Sequence, residues 1–231
     1  MEQQPKPGTG DVIHTITKAG FSAIPVVGGP AAVFFAALIT PPIIKRRDAW
    51  VNSLAQDILE LKDKIKGFDP NELQNNEPFV TAVLHATDSA SKNHDKEKLE
   101  FLRNAVLNVA LKIEPNEDLQ LMFFNYIDAL TRWHLKILSY FSDPKRWYEK
   151  HGLMPQEFGF TTLGESIEHA FQELKHKDDF YKQLIRDLNS RGLLAIPDLS
   201  SIMSSSSVYE SRTTDMGDRL IRFILSPLTK E

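Results

Sequence analysis

The chain has 231 residues, a formal net charge of −4 and no cysteine. With 42% apolar and 25% charged residues it has a globular composition, long enough for one large helical domain or two small ones. So small a charge makes no global field that would gather nucleic acid. The lack of cysteine excludes disulfides, thiolate zinc sites and cysteine nucleophiles, and suits a reducing cytosol.

Residues 1–9 are polar and rich in proline and glycine, and are read as a flexible tail. An acid at position 2 and the lack of a compact basic region argue against a secretory signal. From Asp11, DVIHTITKAG places Val12, Ile13 and Ile16 on one helical face, with Gly20 as a stop. Residues 21–44, FSAIPVVGGPAAVFFAALITPPII, then carry no charge, and KRR follows at once.

This apolar run has two readings. The uncharged stretch is nominally long enough to span a bilayer and has a basic flank. Yet Pro25, Pro30, Pro41, Pro42, Gly28 and Gly29 interrupt it, and residues 31–40 cover only about 15 Å as a helix. The freed backbone groups would lack partners in lipid. The favoured expectation is a short helix from Pro30, stopped by the TPP at 40–42 and buried against the next helix. Insertion into a membrane on activation is the second reading. The candidate membrane or partner contacts are Phe21, Pro25, Gly28, Gly29, Phe34 and Phe35, with Lys45, Arg46 and Arg47 set against anionic headgroups.

The next helix is expected from Pro41 or Pro42 to about Lys66. Its stripe is Ile43, Trp50, Leu54, Ile58, Leu61 and Ile65, and Gly67 closes it. A helix opening at Glu77–Pro78 should turn Phe79, Val80, Val83 and Leu84 inward. Another should bury Leu99, Leu102, Val106 and Leu107 and end before Pro115. A third follows through Leu119, Met122, Phe123, Tyr126 and Leu130. Thr131 caps RWHLKILSYF, which stops at the SDP of 142–144. Residues 10–130 thus read as a helical bundle that includes the apolar segment 21–44.

Residues 131–231 change character. Helices are expected near 163–174 and 178–190, then a strand in RGLLAIPDL, the serine tract at 200–207, a strand in VYESRTT and a closing helix in DMGDRLIRFIL. That order resembles a winged helix, carried by LIRDLNSRGLL (184–194) and TTDMGDRLIRFI (213–224). The expected fold class is mainly α: a multi-helix bundle followed by a winged-helix-like module with a small β-hairpin. The resemblance implies nucleic-acid contacts at Lys182, Arg186, Arg191 and Arg212. Charge opposes it, since residues 151–231 hold nine Lys/Arg against twelve Asp/Glu, with no base between Arg191 and Arg212. A protein-binding wing is the better expectation.

Catalytic chemistry finds no footing. None of the seven histidines forms an HExxH pair, and Glu165 with His169 reads as a surface ion pair rather than a metal clasp. GFTTLGES (159–166) lacks the lysine of a phosphate loop and reads as a loop before a Thr-capped helix. No GxSxG elbow occurs. No enzyme activity, metal or cofactor is expected.

NNEPFVTAVLHAT (75–87), EKLEFLRNAVLN (97–108) and DALTRWHLKILSYFSDP (128–144) resemble segments of uncharacterised bacterial proteins. More distantly they resemble the abortive-infection alpha family, in which a helical region precedes a winged-helix-like end. The resemblance implies a bacterial cytosolic protein of phage defence. The functional expectation is a non-enzymatic interaction or effector protein, cytoplasmic or peripheral to the membrane, with a protein partner and an option to self-associate. The alternative is a winged-helix DNA-binding transcription regulator.

Overall fold

The computed structural model describes residues 30–113, 116–153 and 160–228. The expected tail at 1–9, the expected helix from Asp11, and Phe21, Pro25, Gly28 and Gly29 lie outside the described residues. The chain is mainly helical, with one small antiparallel two-stranded sheet among the described residues. It divides into two compact units, Met1–Asp128 with Ile224–Glu231, and Ala129–Phe223.

The first unit begins with α1, Pro30–Lys64, a single helix of 35 residues that contains Pro41 and Pro42. This corrects the expected break at TPP. Proline removes one helical hydrogen bond and crowds the carbonyl four residues back, here those of Ala37 and Leu38. Both prolines are exposed, so water can satisfy those carbonyls and the helix continues. The expected burial of residues 31–39 against the following helix is corrected for the same reason. The two stretches are one rod and cannot fold onto each other, and Leu38 is 56% exposed. The apolar stripe reaches the core only in the second half, through Trp50, Leu54 and Leu61. Trp50 Nε1 also donates to the Leu99 carbonyl at 3.4 Å. Gly67, at φ +87°, takes the left-handed position after the helix.

Asp69 caps a short 3-10 turn, Pro70–Asn75. Asn76 caps α2, Glu77–Lys92, by accepting from the Phe79 N–H, and Asp95 caps α3, Lys96–Ala110. Then comes α4, Glu117–Ala129. Phe79, Val83, Leu102, Val106, Leu107, Phe123 and Ile127 form the core of this unit. Leu84, expected inward, is 53% exposed. Five residues on from Phe79, it lies about 140° round the helix from it. Three buried polar side chains hold helix ends. The Lys98 ammonium donates to the Asp128 carbonyl at 2.7 Å, and the Asn104 and Asn108 amides donate to the Ile224 and Leu225 carbonyls at 3.0 and 2.9 Å. C-terminal carbonyls of a helix have no partner within it, and these side chains supply one. Burial pushes the Lys98 pKa down, opposed by Asp128 and Asp95.

The second unit contains α5 (Arg132–Ser142), α6 (Pro144–Lys150), β1 (Phe160–Thr161) and α7 (Leu163–Ala170). A 3-10 turn (Gln172–Leu174), α8 (Asp178–Ser190), β2 (Met203–Ser204) and α9 (Ser205–Val208) follow, and α10 (Asp215–Ile224) closes the series. The Thr131 N–H donates to His134 Nδ1 at 3.1 Å, which fixes the start of α5. The core is aromatic. Tyr140 meets Phe141, Trp147, Tyr148 and Phe171 edge to face, with ring centres 4.9–6.0 Å apart.

Strand placement differs from expectation. β1 pairs with β2, Phe160 opposite Ser204 and Thr161 opposite Met203. RGLLAIPDL and VYESRTT, expected as strands, make only a single bridge, Leu194 with Thr213. The serines explain part of this. Their hydroxyls bond locally, as Ser204 does with Ser206, and Ser205–Val208 turns into the short α9. Gly217 explains more: a Cβ there would lie 2.2 Å from the Leu193 carbonyl oxygen, so α10 sits directly on that backbone.

Gly217→Ala is therefore expected to lower stability by about 1–3 kcal/mol through overpacking. Chemical denaturation measures it; Gly152→Ala, where nothing lies within 4 Å of the added carbon, serves as the comparison for backbone strain alone.

Candidate functional site

Two surfaces stand out. The first is the start of α1. From Ala37 to Ala49 no side chain is buried. Residues 30–44 are nevertheless uncharged and, but for Thr40, apolar or proline. A helix that is apolar all round is normally covered, and a contiguous exposed apolar surface marks an interaction site. Lys45 is exposed, Arg46 is half-exposed, and the Arg47 guanidinium donates to its neighbour Asp48 at 3.1 Å. The side chains of Phe34 and Phe35 lie outside the described residues. Among the described residues, no helix is long and apolar enough to cross a membrane.

The second surface is a groove of 450 Å³ in the second unit, between α7, α8 and the loop at 196–200. Local sequence builds each wall. Thr162 caps α7 by accepting from the Glu165 N–H at 3.1 Å. Glu165 Oε2 accepts in return from Thr161 Oγ1 at 2.7 Å and from the Thr162 N–H at 3.0 Å. The Thr161 hydroxyl, then the Thr162 amide, hold the Glu165 carboxyl below the usual carboxylate range. The Gly164 N–H donates to the Leu199 carbonyl at 3.1 Å, and a Cβ at Gly164 would come within 3.2 Å of the Tyr181 hydroxyl.

On α8, Asp178, Tyr181, Lys182, Ile185, Arg186 and Asn189 share one face. Asn189 clamps the loop, its amide donating to the Ile196 carbonyl at 2.6 Å and its oxygen accepting from the Ile196 N–H at 3.1 Å. Asp198 accepts from the Ser201 and Ser200 hydroxyls and the Ser200 N–H, and these bonds hold its carboxyl well below the usual range. Tyr181 is only 3% exposed, and its hydroxyl stands 3.5 Å from Glu168 Oε1. Burial, with Asp178 and Glu168 adding to it, pushes the Tyr181 phenol up to about 12. The lining carries four carboxylates, of Glu165, Glu168, Asp178 and Asp198, against the two cations Lys182 and Arg186. Lys182 lies 3.4 Å from Asp178, and Arg186 donates to Gln183 at 2.8 Å.

The four residues considered for nucleic-acid contact are thus placed differently from one another. Lys182 and Arg186 lie in the groove among acids. Arg191 is the half-buried C-cap of α8. Arg212 donates to the Ser207 carbonyl at 2.7 Å and lies 3.4 Å from Glu210. Glu165 and His169 take different partners, Glu165 the two threonines and His169 the Tyr148 hydroxyl at 3.0 Å. Among the described residues, no group of three or more metal-ligating side chains is placed to hold an ion. Glu168, Tyr181, Asn189 and Asp198 were not singled out from sequence. The usable signal was the spacing on α8, where 178, 181, 182, 185, 186 and 189 recur at helical steps.

No protein family, curated protein or solved structure matches the chain.

The Glu165 carboxyl should titrate below the model-compound value of 4.5, and Thr161→Val should move its midpoint upward by removing the strongest of its donors. Carbon-detected NMR titration of the glutamate side chains checks both the order and the direction.

Proposed function

We propose that the protein is a non-enzymatic interaction protein whose docking element is the apolar start of α1, and that the surface it docks on is an anionic membrane face. The observation that carries this is the run without a buried side chain from Ala37 to Ala49, uncharged and mostly apolar as far as Ile44 and followed by Lys45, Arg46 and Arg47. Residues 30–44 make a helix of about 22 Å, short of the roughly 30 Å hydrocarbon core, so the seat is interfacial rather than spanning. Apolar side chains enter the headgroup boundary, and the bases beside them meet phosphates.

What supports a winged-helix-like module is the helix pair α7 and α8 followed by the bridge of Leu194 with Thr213, the expected pair of strands being reduced to that bridge. Its charges favour a protein-binding role over a DNA-binding one, since the groove that holds Lys182 and Arg186 is lined by more acids than bases. The resemblance to the abortive-infection alpha family adds a setting, an effector in the bacterial cytosol that acts during phage infection.

Flotation of the full chain with phosphatidylglycerol-containing vesicles tests the reading. The protein should rise with these and stay below with phosphatidylcholine vesicles. Each base near an anionic surface is worth about 1 kcal/mol, so Lys45→Gln with Arg46→Gln should weaken binding roughly thirtyfold. A chain that stays below with both vesicle types overturns the proposal.

A further inference from the structure

We infer that the groove between α7, α8 and the 196–200 loop is a second binding site, for a lysine or arginine side chain presented by a protein partner. Its volume of 450 Å³ falls in the range of about 300–1,000 Å³ typical of built ligand sites. Three features of its lining point to this one class of occupant.

The first is shape. Gly164 and Leu199 are joined by a backbone hydrogen bond, and Gly164 leaves room in front of the Tyr181 hydroxyl that any larger residue would narrow. The second is the apolar lining. Ile185, Ile196 and Leu199 are buried and line the groove. Long basic side chains lay an aliphatic stem on such a surface while the head reaches polar groups.

The third is the placement of polar groups. Glu165 and Asp198 have oxygens engaged by threonine and serine donors, and Asp178 lies beside Lys182. Glu168 is different. It is half-buried, and its carboxylate meets the Tyr181 hydroxyl at the limiting distance of 3.5 Å. Tyr181, only 3% exposed, lines the groove and shares its hydroxyl with the Glu168 carboxylate. A carboxylate and a phenol oxygen together accept from an ammonium or guanidinium, and the excess of acids in the lining favours a cation. A phosphate or a carboxylate ligand would meet the wrong sign.

This inference does not depend on docking by α1, and its test is run without lipid. A fluorescein-labelled peptide of alternating arginine and glycine is titrated with the full chain and followed by anisotropy, beside a glutamate–glycine peptide of equal length. Micromolar binding of the arginine peptide alone is expected. Glu168→Gln should weaken it roughly tenfold, while Glu173→Gln, outside the groove lining, should leave it unchanged. Lys182→Glu should tighten it, a gain that misfolding cannot produce. Equal binding of the two peptides overturns the site. So does a Glu168→Gln variant that binds like wild type, or a Lys182→Glu variant that binds no better.

Discussion

Continuity of the helix through two adjacent prolines, despite the hydrogen bonds they remove, is the constraint on which α1 depends. If the chain broke at Pro41–Pro42, the apolar residues before it could turn back and bury themselves on the helix that follows. Because both prolines are exposed, the carbonyls they strand can be hydrated, and the helix runs on from Pro30 to Lys64. The apolar start is then carried away along the axis from Trp50, the first buried side chain of α1 among those described, which begin at Ala37. Helical geometry at about 1.5 Å per residue puts Leu38 roughly 18 Å from Trp50 along the axis. A surface whose composition suits an interior is left without one, and its function follows from what can cover it.

Elsewhere the same accounting of backbone groups closes within the chain. Asn76, Asp95 and Thr162 accept from the first free amides of α2, α3 and α7. Lys98, Asn104 and Asn108 donate to carbonyls at helix ends, and each is nearly buried, so losing any one would strand a polar group without water. These interactions set where helices begin and stop. They also explain why polar residues occupy otherwise apolar faces of α3, which a reading by periodicity alone would take for a flaw in the pattern.

Much of this was legible. Gly67 as a stop, the Glu77–Pro78 start, the Thr131 start, the SDP stop and the Thr162 cap each rest on chemistry within four residues, and the structure has them. What was not legible depends on neighbours distant in sequence or on solvent. The TPP break failed because proline's cost depends on whether the freed carbonyls are hydrated, which the sequence does not state. The strands at 191–199 and 208–214 failed because alternation cannot reveal that α10 approaches Leu193 through Gly217. The groove was half legible. The face of α8 could be drawn from spacing, whereas its facing wall, Gly164 with Glu168 and the loop held by Asn189, needed the tertiary fold.

Charge separates the two surfaces. The end of the apolar stretch is basic, at Lys45–Arg47, and the groove of the second unit is lined by an excess of acids. The first suits anionic lipid and the second a cationic side chain, so salt weakens both while changing the lipid alters only one. The central claim concerns the first. Since the chain has no cysteine, Leu38→Cys gives a single site for a nitroxide label. The account predicts a mobile, water-accessible label in buffer that becomes immobilised and oxygen-accessible on phosphatidylglycerol vesicles. A label already immobilised in buffer and unchanged by those vesicles would show that the start of α1 is covered by protein, and would contradict it.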